Sequence, residues 1–168
     1  MHASHDTLGE YLAEDEPVMV LWHHLDEVVG DESLSPSLAG LTLPAATIYL
    51  VGVFEGEVVH GGFQRFFGDA SGDHALDTLQ ALREVGAHVC VELLEKALAS
   101  FPEGAPATDR AARFSQLSRL DAETPIAFDA LDELFVAHVD SQSANRVEKV
   151  DDLLLQYLKR HAAIRLKY

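Results

Sequence analysis

The chain has 168 residues, a length that fits one domain, and 48% of them are hydrophobic, enough for a full core. Its formal net charge of −16, from 28 Asp and Glu against 12 Lys and Arg, argues against direct binding of nucleic acid or an anionic membrane, since both need a basic face. One cysteine excludes an intramolecular disulfide framework and any multi-cysteine zinc site.

Helical signals dominate in chain order. Asp6 is placed to cap a short helix with Leu8, Tyr11 and Leu12 on one side and Glu10, Glu14 and Asp15 on the other. Pro17 suits the first turn of a second helix through Trp22, Leu25 and Val29, closed by Gly30. Asp31 to Gly40, rich in Ser, Asp, Gly and Pro, reads as a loop. Thr42 to Val59 supports two readings. Pro44 can start a helix whose all-round apolar character makes it the buried central one. The runs Thr47–Val51, Val53-Phe54 and Glu57–Val59 also fit two strands turning at Glu55-Gly56.

Further along, Ser71 or Asp73 can cap a helix with Leu76, Leu79, Leu82 and Val85 inward, ending at Gly86. The next carries Cys90, Leu93, Leu94, Ala97, Leu98 and Phe101 on one face and stops at Pro102. After a Pro/Gly/Ala connection, Asp109 caps a helix with Ala112, Phe114 and Leu117 inward. Thr124-Pro125 opens another, with Phe128, Leu131, Leu134 and Phe135 as its core face. The last uses Val147, Val150, Leu154, Tyr157 and Leu158, and its end carries Lys159, Arg160, His161 and Arg165, favourable beside a helix C-terminus.

The charge is uneven. Residues 1–109 hold 19 acids and 3 bases, a net of −16, whereas residues 110–168 hold 9 of each. A solubilising surface is one reading; a negative face that attracts a basic partner through its long-range field is the other. Met1 to Glu16 carries five acids and no Lys or Arg, unlike a secretory or transit peptide. The longest apolar stretch, Leu41 to Phe54, is too short to span a bilayer. A soluble, cytoplasmic protein is expected.

Sites for chemistry are sparse. Cys90 falls on an apolar stripe, which favours an inert buried thiol. His23 and Glu27, four apart on a helix, can share a metal, but two ligands do not make a site. His60, Asp69, Asp73, His74 and Asp77 form a second cluster around the glycines, with His60 and Asp73 among conceivable ligands for a divalent cation. A solvated helix start, its acids complementing the macrodipole, is the simpler account. No cofactor or metal is expected.

From Glu57 to Pro102 the chain resembles the DNA mimic protein 19 family. The shared features are a Glu-Val-x-Asn-Gly-Gly-Phe turn, an aromatic segment, a Ser-Gly helix start, a Leu-rich helix ending in Gly-Ala, and a helix ending at Phe-Pro. They are matched here by Glu57, Val58, Gly61, Gly62, Phe63, Phe66, Phe67, Ser71, Gly72, Ala81, Leu82, Gly86, Ala87, Phe101 and Pro102. Leu131-Asp132-Glu133-Leu134-Phe135 is a weaker marker. His60, Arg65 and Asp69 depart from the Asn, Gln and Asn usual in the family. Gly61-Gly62 can adopt backbone conformations closed to other residues and suits a sharp turn between helices. Glu57 is set aside as structural, accepting backbone N–H groups in the turn formed with Gly61, Gly62 and Phe63.

The resemblance implies an all-α fold of about eight helices in a compact single domain (residues 1–168), with a family-like core over about 43–164, N-terminal helices before it, and a central buried helix around 44–59. It also implies a homodimer and an acidic surface that imitates the phosphates of duplex DNA. The leading expectation is a non-enzymatic acidic protein occupying the basic DNA-binding surface of a transcription regulator or other nucleic-acid-binding protein, with no direct contact to nucleic acid or membrane. The acids expected to bind the partner are Asp26, Glu27, Asp31, Glu32, Glu55, Asp69, Asp73, Asp77 and Glu84. An immunity protein neutralising a basic toxin such as a nuclease is the alternative. A metal-dependent enzyme at the His60–Asp77 cluster is the third reading, and a scaffold charged only for solubility the fourth.

Overall fold

The structure is a computed structural model describing residues 5–30, 38–123 and 127–167. Among the described residues seven α-helices follow one another: α1 (Pro17–Val29), α2 (Leu43–Gly68), α3 (Ala75–Val85), α4 (His88–Leu98), α5 (Arg110–Glu123), α6 (Asp129–His138) and α7 (Val150–Arg160). Short 3-10 helices cover Leu8–Ala13, Ala70–His74 and Pro102–Gly104. Among the described residues there is no β-strand, only isolated bridges pairing Thr7 with Arg165 and Leu41 with Lys167. The fold is all-α.

Helix α2 is the central element and touches α1, α3, α5, α6 and α7. It starts at Leu43 with Pro44 in its first turn, within a residue of the start the sequence predicts, and Glu55-Gly56 lies inside it rather than in a hairpin. Residues Ala45 through Val51 are all buried, so tertiary contact on every side overrides the strand propensity of Ile48, Tyr49 and Val51. The helix breaks once, at Gly62 (φ 70°, ψ −174°), into two limbs. Seven of the eight phenylalanines gather around these limbs in the core, many edge-to-face; Phe54 meets Phe66 at 5.1 Å and 89°. Such pairs contribute about 0.5–1.5 kcal/mol each beyond their burial.

Several expected core positions are corrected. Leu76, Phe114, Leu134 and Val147 are exposed, and so is Ala112. A run at three-residue spacing drifts about 60° round a helix per step, so Leu76 falls off the face that Leu79, Leu82 and Val85 bury. On α5 the inward positions are Arg113 and Leu117; a fully buried arginine anchors the face, and an apolar pattern cannot show it. Val147 precedes α7. Thr124 and Pro125, expected to open α6, lie outside the described residues.

The expected caps divide. Asp109 does cap α5, accepting the Ala112 N–H at 2.8 Å. Gly86 closes α3 in the left-handed conformation (φ 82°), with the Ala87 N–H bonded to the Leu82 carbonyl at 2.9 Å. Asp6 is not a side-chain cap; its own N–H donates to Glu10 Oε2 at 2.7 Å. Neither Ser71 nor Asp73 caps α3: the Ser71 hydroxyl donates to the Phe66 carbonyl at 2.9 Å, and Asp73 pairs with Arg113.

One cap comes from far along the chain. Buried Glu148 accepts the N–H groups of Val89 (2.8 Å) and Cys90 (2.9 Å), satisfying the start of α4 across 58 residues of sequence. Beside it the Cys90 thiol is fully buried, and burial first, then the Glu148 charge, push its pKa well above the ordinary thiol value. Glu148→Ala strands both N–H groups and is expected to cost about 2–4 kcal/mol in urea unfolding, with Glu148→Gln recovering part of the loss. Past α7, the tail pins the N-terminal segment and the entry of α2 together: the Leu8 N–H bonds to the Ile164 carbonyl (2.9 Å), and the Thr42 hydroxyl donates to the Arg165 carbonyl (2.7 Å).

Candidate functional site

The acids of the expected partner-binding set lie on several elements. On α1, Glu27 is exposed and Asp26 half-buried; on α3, Asp77 and Glu84 are exposed. Asp69 is exposed just after α2, 3.5 Å from Arg65. Asp73 is turned inward against Arg113, with Arg110 at 3.6 Å. Asp31 and Glu32 lie outside the described residues. Glu55 is half-buried in a cleft, described below. Two of the exposed acids, Asp77 and Glu84, are two turns apart on one face of α3.

The second histidine cluster is dispersed. His60 Nδ1 meets the Gly56 carbonyl at 2.7 Å, one turn back along α2. His74 faces Asp77 at 3.2 Å. Asp73 is held by arginines. Among the described residues no three His, Cys, Asp or Glu side chains group as a metal ion requires.

The glycine segment is built differently from a turn. Glu57 does not take backbone N–H groups; its carboxylate accepts Arg65 Nε at 2.5 Å across the break. The backbone acceptor is Asp132 of α6, whose Oδ1 takes the Phe63 N–H at 2.8 Å and so starts the second limb of α2. Burial pushes the Asp132 carboxyl above its ordinary value, and the Phe63 N–H partly opposes this. A Cβ on Gly62 would overlap the Asp132 carboxylate. Gly61 has no positive φ, but a Cβ there would crowd the side chain of Arg65, meeting its Cβ at 2.7 Å and its Cδ at 2.5 Å.

An open cleft of about 730 Å³ lies between α1, α2 and the start of α7. Its walls mix two chemistries. Val18, Met19, Trp22, Val53 and Leu155 form an apolar floor, whereas Glu16, Glu55, Glu57, Asp140, Asp151 and Asp152 supply six carboxylates. Trp22 stacks on Tyr49 at 6.3 Å and 11°, lying so close to Gly52 that a Cβ there would overlap the indole. Glu55 is pushed up to about 7, by burial first and by the charges of Asp151 and Asp140, with Arg146 opposing. Arg146 is itself paired with Asp151. The charge asymmetry of the sequence points to Glu16, Glu55 and Glu57; nothing in it indicates Asp140, Asp151 and Asp152, which come from the electrically balanced last third.

The family model described as DMP19-like protein matches residues 39–161, most of the chain and all of α2 through α7. Neither a curated protein nor a solved structure matches it. Among the described residues no helix is long and apolar enough to cross a membrane.

Proposed function

The chain belongs to the DMP19-like protein family, and on that premise we propose that it is a non-enzymatic acidic binding protein, a DNA mimic that occupies the basic DNA-binding surface of a transcription regulator or other nucleic-acid-binding protein. The observation that carries this reading is the concentration of the whole −16 in residues 1–109, with Glu27, Asp69, Asp77 and Glu84 standing exposed. Duplex DNA presents one charge per about 1.7 Å of axis, so an imitation must combine acids from several elements; exposed acids on α1, after α2 and on α3 are consistent with that requirement. A homodimer, which extends the acidic surface over two copies, belongs to the same reading.

The test begins with capture at low salt and identification of the proteins that a high-salt wash releases. The recovered partner is expected to bind duplex DNA and this protein in competition, while this protein binds no DNA itself. Its affinity is expected to fall at least about tenfold between roughly 50 and 500 mM salt, because exposed charges are screened beyond about 8 Å at physiological ionic strength. Reversing Glu27, Asp77 and Glu84 to Lys should slow association and leave the melting temperature nearly unchanged. A partner held equally well at high salt, or by the reversed variant, would rule the mimic out; a captured nuclease toxin would replace it with the immunity reading.

A further inference from the structure

The cleft between α1, α2 and α7 is more than a patch of negative surface. Its floor is apolar and open to solvent: Met19 is 53% exposed, and Val18, Trp22, Val53 and Leu155 are partly so. Imitation of a phosphate ladder has no use for such a floor, whereas exposed apolar surface rimmed by polar groups is characteristic of a protein-binding site. The lining is strongly negative. Six carboxylates stand against one guanidinium, Arg65, which pairs with Glu57, and Arg146 close by pairs with Asp151. Glu55, wedged between the floor and the rim with Asp140 and Asp151 close by, has a carboxylate that an incoming cation would stabilise.

We propose that this cleft docks a cationic amphipathic segment of a partner protein, with an apolar side chain seated on Met19, Trp22 and Leu155 and Lys or Arg side chains on Glu16, Glu55, Asp140 and Asp152. Charge complementarity selects the occupant: the rim repels anionic and acidic segments, and the floor rewards only a segment that also carries apolar side chains. A volume of about 730 Å³ lies in the range that encloses several side chains. The proposal rests on the reading that the partner is a basic protein, and does not require that protein to bind DNA.

The test uses two fluorescein-labelled synthetic peptides of about 14 residues, roughly four helical turns. One carries Lys and Leu at helical amphipathic spacing; the other has the same number of Lys with Ser in place of every Leu. The Lys/Leu peptide is expected to bind the full chain at least tenfold more tightly. Met19→Glu, which keeps the acidic character and removes the apolar seat, should abolish that difference without shifting the melting temperature, since Met19 is exposed. Asp152→Lys should weaken both peptides, and Asp77→Lys with Glu84→Lys, outside the cleft, should weaken neither by more than about twofold. Equal binding of the two peptides, or a preference that survives Met19→Glu, overturns the proposal. The outcome is separable from that of the DNA-mimic reading. If the captured partner ignores competing DNA yet the cleft still selects the Lys/Leu peptide, the mimic fails and the cleft stands. If reversal at Asp77 and Glu84 abolishes partner binding while the peptides bind alike, the reverse holds.

Discussion

Arg113→Met is expected to lower stability by about 3–5 kcal/mol, the cost of removing one partner from a buried charged network. Arg113 is fully buried in α5 and spends its whole guanidinium on links between elements. Its Nε donates to the Phe67 carbonyl at 2.6 Å, Nη1 to the carbonyls of Ala107 (2.7 Å) and Thr108 (3.1 Å), and Nη2 to the Asp69 carbonyl (3.1 Å) and the Asp73 carboxylate. One side chain thus ties the end of α2, the 3-10 helix behind it, the connection after α4 and α5 itself. Gly72 is small because this network passes over it: a Cβ there would sit 2.5 Å from the Phe67 carbonyl oxygen and 2.7 Å from Arg113 Nε. Total stabilities of such domains are about 5–15 kcal/mol, so the loss is a large fraction of the whole and is read from the urea midpoint. Arg113→Lys should recover less than half of the loss, because an ammonium cannot reproduce the planar fork. Asp73→Asn, which keeps a hydrogen-bonding group against Nη2, should cost less than Arg113→Met. An Arg113→Met protein that unfolds at the parental urea concentration would show that the network contributes nothing net.

Gly62→Ala is expected to cost about 2–4 kcal/mol, and Gly62→Val more, whereas Gly61→Ala should cost less than Gly62→Ala. The two adjacent glycines look equivalent in sequence and are not equivalent in the fold. Gly62 holds φ 70° and ψ −174°, a combination essentially reserved for glycine, and its missing Cβ leaves room for the Asp132 carboxylate. A side chain at 62 therefore adds backbone strain and also displaces the group that accepts the Phe63 N–H. Gly61 carries no backbone strain, since its φ is not positive, and displaces no backbone acceptor; a side chain there must still shift Arg65, whose Cβ lies 2.7 Å away. Thermal melts of the Ala variants at both positions decide the matter; equal melting temperatures would refute the distinction.

Much of the helical architecture was legible because it depends on local rules. Pro17 and Pro44 mark helix starts, Gly30 and Gly86 mark ends, Asp109 caps α5, and the stripe from Cys90 to Phe101 is buried. Where the sequence pattern misled, a partner distant in sequence often had to be known. Asp73 and Ser71 have the residue types of caps, yet each is taken by a group from another element. Glu57 was set aside as a backbone acceptor; that task belongs to Asp132 and Glu148, which lie 69 and 58–59 residues from the N–H groups they hold. The marker around Asp132 thereby gains a physical reason.

The sequence by itself determined the helix ends that Pro17, Pro44, Gly30, Gly86 and Asp109 mark, the inert character of Cys90 and the confinement of the negative surplus to residues 1–109, because local propensity and charge counting need no third dimension. Its bare pattern left Thr42 to Val59 open between helix and hairpin, and the resemblance inclined it to helix. Burial of Ala45 through Val51 in the core favours the helix there, and the stretch continues as part of α2, which packs against five neighbouring helices. Tertiary structure alone decided that an arginine would sit in the core, that one glycine of a pair would break α2, and that Asp140, Asp151 and Asp152 would join Glu16, Glu55 and Glu57 around an apolar floor. The physical reason is common to all three. Each depends on which side chains meet across long sequence separations, and a contact of that kind leaves no periodic trace in the chain.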